Sequence, residues 1–273
     1  MDTQIRIVAI DIDHTTLTDD HRLLPGVIEA VERATRSGIL VIPATARPPQ
    51  GLRFISNLGL SGPVVCFNGA WTGTLEGDRV SSIQSHLMDL VEAAKVIAAG
   101  EKLGLNPCWF TSDCMYTLYQ GPLVERERRA TGVTAKTVGM HELARHEILK
   151  VLLLESLGHS AGGLAEKFPS LSFFYSGRAL VEVVEHGVSK QKALAQLARK
   201  YGVDASEVAM VGDSENDIEA IQWAGLGIAM GNAVPGVIGV ADMVVGTNEE
   251  AGLAQALNHI VDRNEIATTR IRS

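Results

Sequence analysis

Two groups of acids stand directly after short apolar runs. Asp11 and Asp13 lie one residue apart in Asp11-Ile12-Asp13-His14-Thr15-Thr16, after the β-branched stretch at 5–10. Asp213, Asn216 and Asp217 follow Val208-Ala209-Met210-Val211-Gly212 in the same manner. A carboxylate held at a strand tip can act as a nucleophile or as a general acid and base. Several hard oxygen donors in one place also suit Mg²⁺, which prefers octahedral oxygen coordination and takes one or two carboxylates directly. Neither cluster is specific alone, since Asp-x-Asp is as often a solvated turn, and Asp and Asn at a helix start satisfy free amides. Thr45, after the run at 39–42, and Lys190, after Gly187-Val188-Ser189, add a hydroxyl and an ammonium. Such groups bind phosphate oxygens together with backbone amides at a helix start, although each singly is an ordinary cap or solvated side chain.

Bringing these groups together takes strands that end at a common edge. The run at 5–10 reads as a buried parallel strand, with Asp11 at its carboxyl tip. Val27, Ile28, Val31 and Ala34 fall at helical spacing over 25–37, Gly38 stops that helix, and 39–42 reads as a second strand. A helix is predicted at 48–58 and a third strand at 63–67, ending at Asn68-Gly69. From 73 to 185 the alternation weakens into hairpin-like pieces at 115–119 and 171–175 among helical stretches at 87–103 and 160–167. It returns with a helix at 190–201, a strand at 208–211, a helix at 216–224 and short strands at 227–230 and 243–245. The pattern predicts an α/β fold: a doubly wound, Rossmann-like parallel sheet over 1–72 and 186–273, interrupted by an inserted α+β cap at 73–185.

Bulk properties narrow the partners. The 273 residues are 46% hydrophobic and 21% charged, the balance of an ordinary folded protein and far from that of disorder. A formal net charge of -8 argues against nucleic acid or an anionic membrane as partner, so an anionic substrate must be drawn by local cations. Cys66, Cys108 and Cys114 form no C-x-x-C pair and read as reduced structural thiols. The start lacks the basic and long apolar stretches of a signal peptide, and the apolar stretch 224–246 is broken by Asn232, Pro235 and Asp242. The expectation is a cytoplasmic protein, monomeric or homodimeric, acting on a small molecule.

Taken in order, these motifs resemble the haloacid dehalogenase superfamily, and most closely its Cof-type branch. That family carries a D-x-D-G-T strand end, a Ser/Thr strand end, a Lys and an acidic G-D-x-x-N-D turn. Thr45-Ala46-Arg47-Pro48, Phe67-Asn68-Gly69-Ala70, Gly187-Val188-Ser189-Lys190 and Gly212-Asp213-Ser214-Glu215-Asn216-Asp217 match it. The resemblance implies a Mg²⁺-dependent phosphatase of small phosphorylated metabolites, with sugar phosphates foremost. Asp11 would be the nucleophile and Asp13 the general acid and base, the latter with a raised pKa. Thr45 and Lys190 would hold the phosphoryl oxygens, and Ala46, Arg47, Asn68 and Asn216 would lie on the substrate side. The metal would take oxygens from Asp11, Asp13 and Asp213, with Asp217 in its surround. His14, Ala46 and Gln191 stand where the family usually has glycine. Within the cap, Arg126, Arg128 and Arg129 could meet a second anionic group, though such a run is more often a solvated helix face. Trp109, Phe110, Tyr116 and Tyr119 could stack on a substrate but are more often core. A phosphomutase and a non-catalytic metabolite-binding protein are the competing readings.

Overall fold

The structure, a computed structural model, describes residues 3–76, 79–155, 160–176 and 180–272. The chain opens with β1 (Ile7–Ile10), α1 (Pro25–Arg36), β2 (Leu40–Pro43), β3 (Gly62–Cys66), β4 (Trp71–Glu76) and β5 (Arg79–Ser85). An inserted stretch follows, with α2 (Leu90–Lys102), β6 (Asn106–Phe110), β7 (Cys114–Thr117), α3 (Pro122–Thr131) and β8 (Thr134–Thr137). It continues through β9 (Lys150–Leu154), α4 (Leu164–Lys167), β10 (Leu171–Ser176) and β11 (Leu180–Glu185). The last part holds α5 (Lys190–Lys200), β12 (Val208–Gly212), α6 (Ile218–Trp223), β13 (Leu226–Ala229), α7 (Pro235–Ile238), β14 (Met243–Val244) and α8 (Gly252–Arg272).

A five-stranded parallel sheet of order β14-β13-β12-β1-β2 forms the centre. Its middle strands β1 and β12 are buried at every position, which is why they read as continuous apolar runs. α1 buries Val27, Ala30, Val31 and Ala34 and packs beside α8, while α5 packs beside α6. Ile10 lies level with both Pro43 and Val211, so the residues that follow β1, β2 and β12 emerge together at one edge. The chain first steps from β1 to β2 and later resumes on the other side at β12, making β1/β12 a topological switch point with its crevice outside the strand ends.

β3, β4 and β5 form a separate antiparallel sheet, tied to the end of β2 by the Ala44–Val65 bridge. The hairpin 71–85 falls largely inside the span whose texture suggested the insertion, yet it pairs with β3. The helix expected at 48–58 is a 3₁₀ helix, Pro49–Leu58, where Pro48, Pro49 and Gly51 are poor α formers. The inserted strands make a six-stranded sheet of order β10-β11-β9-β6-β7-β8, antiparallel except for β7 with β8. Alternation along β9 sends Val151 and Leu153 into a cluster with α2, and Leu152 and Leu154 into the main core. Both faces of this sheet are therefore covered.

Gly69 has φ +104°, and a Cβ there would stand 2.4 Å from the carbonyl oxygen of Ser189, the N-cap of the helix that carries Lys190. Gly69→Ala is expected to cost about 2 kcal/mol or more, from the left-handed backbone plus overpacking. Thermal unfolding should show this as a fall in Tm of several degrees; an unchanged Tm would mean that this contact is not tight.

Candidate active site

At the crevice, Lys190 is fully buried between two carboxylates. Its Nζ donates to Asp11 Oδ1 at 2.6 Å and to Asp217 Oδ1 at 2.7 Å. Ser189 caps α5 through the Lys192 amide, so Lys190 projects from the first turn of a helix whose start is fixed. Asp11 stands one residue beyond β1, its amide bonded to the Val211 carbonyl of β12, while Thr16 donates to the Asp11 carbonyl. Asp217 Oδ2 accepts the amides of Asp213 and Ser214, closing the loop after β12. Asp213 accepts hydrogen bonds from the Thr15 and Ser214 hydroxyls at 2.9 Å each. Asp11, Asp213 and Asp217 offer oxygens within 4.8 Å of one another.

The electrostatics follow from this packing. Burial pushes the Asp11 carboxyl well above the usual carboxylate range, and the Lys190 ammonium opposes that shift. Burial next to Asp217 raises Asp213 to about 6, with the Thr15 and Ser214 hydrogen bonds pulling the other way. Lys190 is raised: desolvation acts against its charge, but Asp11 and Asp217 outweigh it.

Asp13 departs from the expected raised pKa. Burial would lift it, but Arg47 grips the carboxylate with Nε at 2.8 Å and Nη2 at 2.6 Å, His21 adds a contact at 3.5 Å, and the result lies well below the usual range. Arg47, itself buried, stands over Phe54 and is steadied by the Gly51 carbonyl. Asp13 is thus ionised in this arrangement.

The remaining site residues occupy the neighbouring loops. The Thr45 hydroxyl accepts the Arg47 amide at 3.1 Å. Asn68, in the left-handed region at φ 56°, takes a hydrogen bond from Asn216 Nδ2 at 2.9 Å. Asp217 belongs to the acidic cluster but has both carboxylate oxygens committed, to Lys190 and to the loop amides, so it serves as an anchor. His14 adopts φ 58°, a conformation its usual glycine would take freely, and its ring is tied to Asp19 at 2.7 Å. The backbone pattern flagged this position; the ring itself faces an acid of its own loop.

Sequence reasoning missed Lys150, Glu182 and Glu127, all in the inserted unit. Lys150 donates to the Ala46 carbonyl and to Glu182, and Glu182 accepts from Asn68. Glu127, on α3, has its carboxyl raised by burial, with Glu182 and Asp13 adding repulsion against the pull of Lys150. The available signal for Lys150 and Glu182 was a charge at the head of the apolar Lys-Val-Leu-Leu-Leu and one within Leu-Val-Glu-Val-Val. Arg128 and Arg129 are engaged by Glu125, while Arg126 lines a cavity of about 510 Å³ with His21, Pro122 and Arg129. Trp109 and Phe110 are wholly buried and Trp109 stacks on Tyr116, so these three are core, whereas Tyr119 is exposed and donates to Glu101. The three cysteines are buried and unpaired, and burial pushes the Cys66 and Cys108 thiols up.

Residues 8–257 match the family of haloacid dehalogenase-like hydrolases, and the chain belongs to that family. It is 31% identical over 256 residues to a candidate phosphatase of Haemophilus influenzae, spanning 92% of this chain and 97% of that one. The pyridoxal phosphate phosphatase YbhA of Escherichia coli is 27% identical over 274 residues, covering 94% and 99%. Among solved structures, the sugar phosphatase BT4131 superposes with a TM-score of 0.83 at 25% identity, covering 93% of this chain and 98% of that one. Among the described residues no helix is long and apolar enough to cross a membrane.

The raised Asp213 has a stability signature. A carboxyl that holds its proton more tightly when folded makes folding less favourable as pH rises from about 4 to about 6, and the full cost remains above that. In metal-free protein Asp213→Asn should therefore gain stability relative to wild type at pH 7.5, by on the order of 1–3 kcal/mol. The gain should shrink toward pH 4. Melting curves across that range test it; a difference independent of pH would refute the assignment.

Proposed function

We propose that this enzyme is a Mg²⁺-dependent phosphoric monoester hydrolase that transfers the phosphoryl group of a small metabolite to Asp11 and then to water. The observation that carries the reading is the buried Asp11–Lys190 contact at 2.6 Å, with Asp213 beside it at the sheet's switch point. A capping cluster needs neither a desolvated ammonium nor a second strand's acid. The phosphatases among its relatives support the same chemistry.

The donor set fits the metal. Its atoms are hard oxygens, and three carboxylates face one ammonium in a buried space. Asp11 and Asp213 would hold Mg²⁺ with the Asp13 backbone carbonyl, while Asp217 keeps Lys190 and the loop in place. Bound there, Mg²⁺ would supply positive charge to offset the repulsion between a carboxylate nucleophile and a phosphate monoester.

The protein's own groups do the rest. An Asp11 carboxylate oxygen attacks phosphorus in line, with Lys190 and Thr45 holding non-bridging oxygens, and the ester P–O bond breaks. The departing alkoxide takes a proton from Asp13. Water then attacks the aspartyl-phosphate, its proton passes to Asp13, and the bond from phosphorus to Asp11 breaks, releasing phosphate and restoring both acids. An anionic substrate competes for the Arg47 guanidinium, and Asp13, once parted from it, takes up from solvent the proton that it gives to the alkoxide. The unit from 86 to 185 acts as a cap that chooses the leaving group. The cavity between α3 and His21 is of a size for a sugar or a pyridoxal.

Phosphate release from a panel of sugar phosphates, nucleotides, flavin mononucleotide, pyridoxal phosphate and p-nitrophenyl phosphate is the test. Release should require Mg²⁺, stop with chelator and fall by about 10³-fold or more in Asp11→Asn. Release that survives in Asp11→Asn would remove the nucleophile assignment. A wild type inert on the whole panel would remove the phosphatase reading.

A further inference from the structure

Lys150 and Glu182 are buried charges of the inserted unit that the chemistry above leaves unused. They project from the neighbouring antiparallel strands β9 and β11, on the face that those strands turn to the core. Lys150 is 1% exposed and Glu182 5%, and their side chains meet at 2.9 Å. Desolvating such a pair costs about as much as its attraction returns, and apolar residues of similar volume would hold two surfaces together as well. Packing alone does not account for it.

Their remaining hydrogen bonds run to catalytic loops of the core. Lys150 Nζ donates to the Ala46 carbonyl at 2.9 Å, with its other sides covered by the rings of Phe110 and Phe67 at 4.8 and 5.3 Å. The amide at the other end of that peptide belongs to Arg47 and donates to Thr45 Oγ1. A fixed Ala46 carbonyl therefore sets the plane that orients the Thr45 hydroxyl. Glu182 Oε2 accepts from Asn68 at 2.5 Å, and Asn68 Oδ1 accepts from Asn216, which adjoins the Asp217 that grips Lys190. Phe67, Asn68 and Gly69 all have positive φ, and the Phe67 and Asn68 amides donate to the Arg47 and Thr45 carbonyls, so the Asn68 side chain joins Glu182 to a loop already tied to that of Thr45.

We propose that Lys150 and Glu182 are positioning residues for phosphoryl transfer, through which the inserted unit sets the loops bearing Thr45, Asn68 and Asn216. The proposal rests on the phosphatase reading. The two residues act through Ala46 and Asn68, and the site is competent when the inserted sheet is seated.

The test compares Lys150→Met, Glu182→Gln, Asn68→Ala, Glu182→Gln/Asn68→Ala and the apolar double variant Lys150→Met/Glu182→Leu. Thermal melting, kcat and KM are measured with Mg²⁺ on p-nitrophenyl phosphate and on the best metabolite of the panel. Each single variant at 150 or 182 should lower kcat tenfold or more. The apolar double variant should regain most of the melting temperature lost by the singles while kcat stays at least tenfold down on both substrates. Asn68→Ala should cost less in the Glu182→Gln background than in wild type, since both changes break one relay. A kcat that recovers with the melting temperature would reduce the pair to structure and overturn the proposal, as would losses confined to KM. If the apolar double variant does not fold, the coupling at Asn68 decides, and independent, multiplying effects overturn it. An inert wild type overturns the phosphatase reading instead, and this proposal with it.

Discussion

One buried ammonium sets the conditions for everything around it. Lys190 has no access to water and rests between Asp11 and Asp217, and with all three acids ionised the cluster would carry three negative charges against one positive. Two charges are left over, the charge of one divalent cation. The protein tolerates the excess in part by holding Asp11 and Asp213 above the usual carboxylate range. Asp217 has both oxygens occupied by the loop amides and Lys190. Acids of similar chemistry thereby stand in different surroundings, and on the proposed reading Asp11 and Asp213 would react or bind while Asp217 anchors.

A second cation works on a second acid. Arg47 holds Asp13 ionised, and since the proposed reaction draws a proton from that residue, the geometry on that reading is of a site before substrate arrives. The bidentate grip stores the carboxylate in one place without letting it approach Asp11, which would add a further negative charge to the cluster. On the proposed reading, an incoming phosphate would draw the guanidinium away from Asp13, and protonation would accompany binding instead of preceding it.

Much of this was legible in the chain. The parallel strands announced themselves as apolar runs because both of their faces are covered, and the acids at their tips stood out against those runs. Asp11, Thr45, Asn68 and Asp213 each stand within two residues of a strand end, where chemistry and backbone pattern coincide, while Lys190 opens a helix. What escaped was set by packing between units. The 71–85 hairpin has the local texture of the insertion, and only its partner strand β3 assigns it elsewhere. Asp13 looked like an acid needing a proton because its neighbour at 47 cannot be seen from spacing. Lys150 drew no notice in the sequence, although alternation with Leu152 and Leu154 puts it on the covered face.

That last placement bears on how substrate choice and chemistry can share one chain. An insertion that touched the core only through apolar surface would be free to slide, since hydrophobic contact is non-directional. Hydrogen bonds to the Ala46 carbonyl and to Asn68 are directional and short, so they permit one seating. The cavity beside α3 and the Thr45 loop after β2 are then held in one register by the same sheet, β9 and β11 gripping the loops while α3 faces His21. On the proposed reading, side chains around that cavity could vary without moving the phosphoryl group, because the residues that set the register lie on the strands and not on the helix.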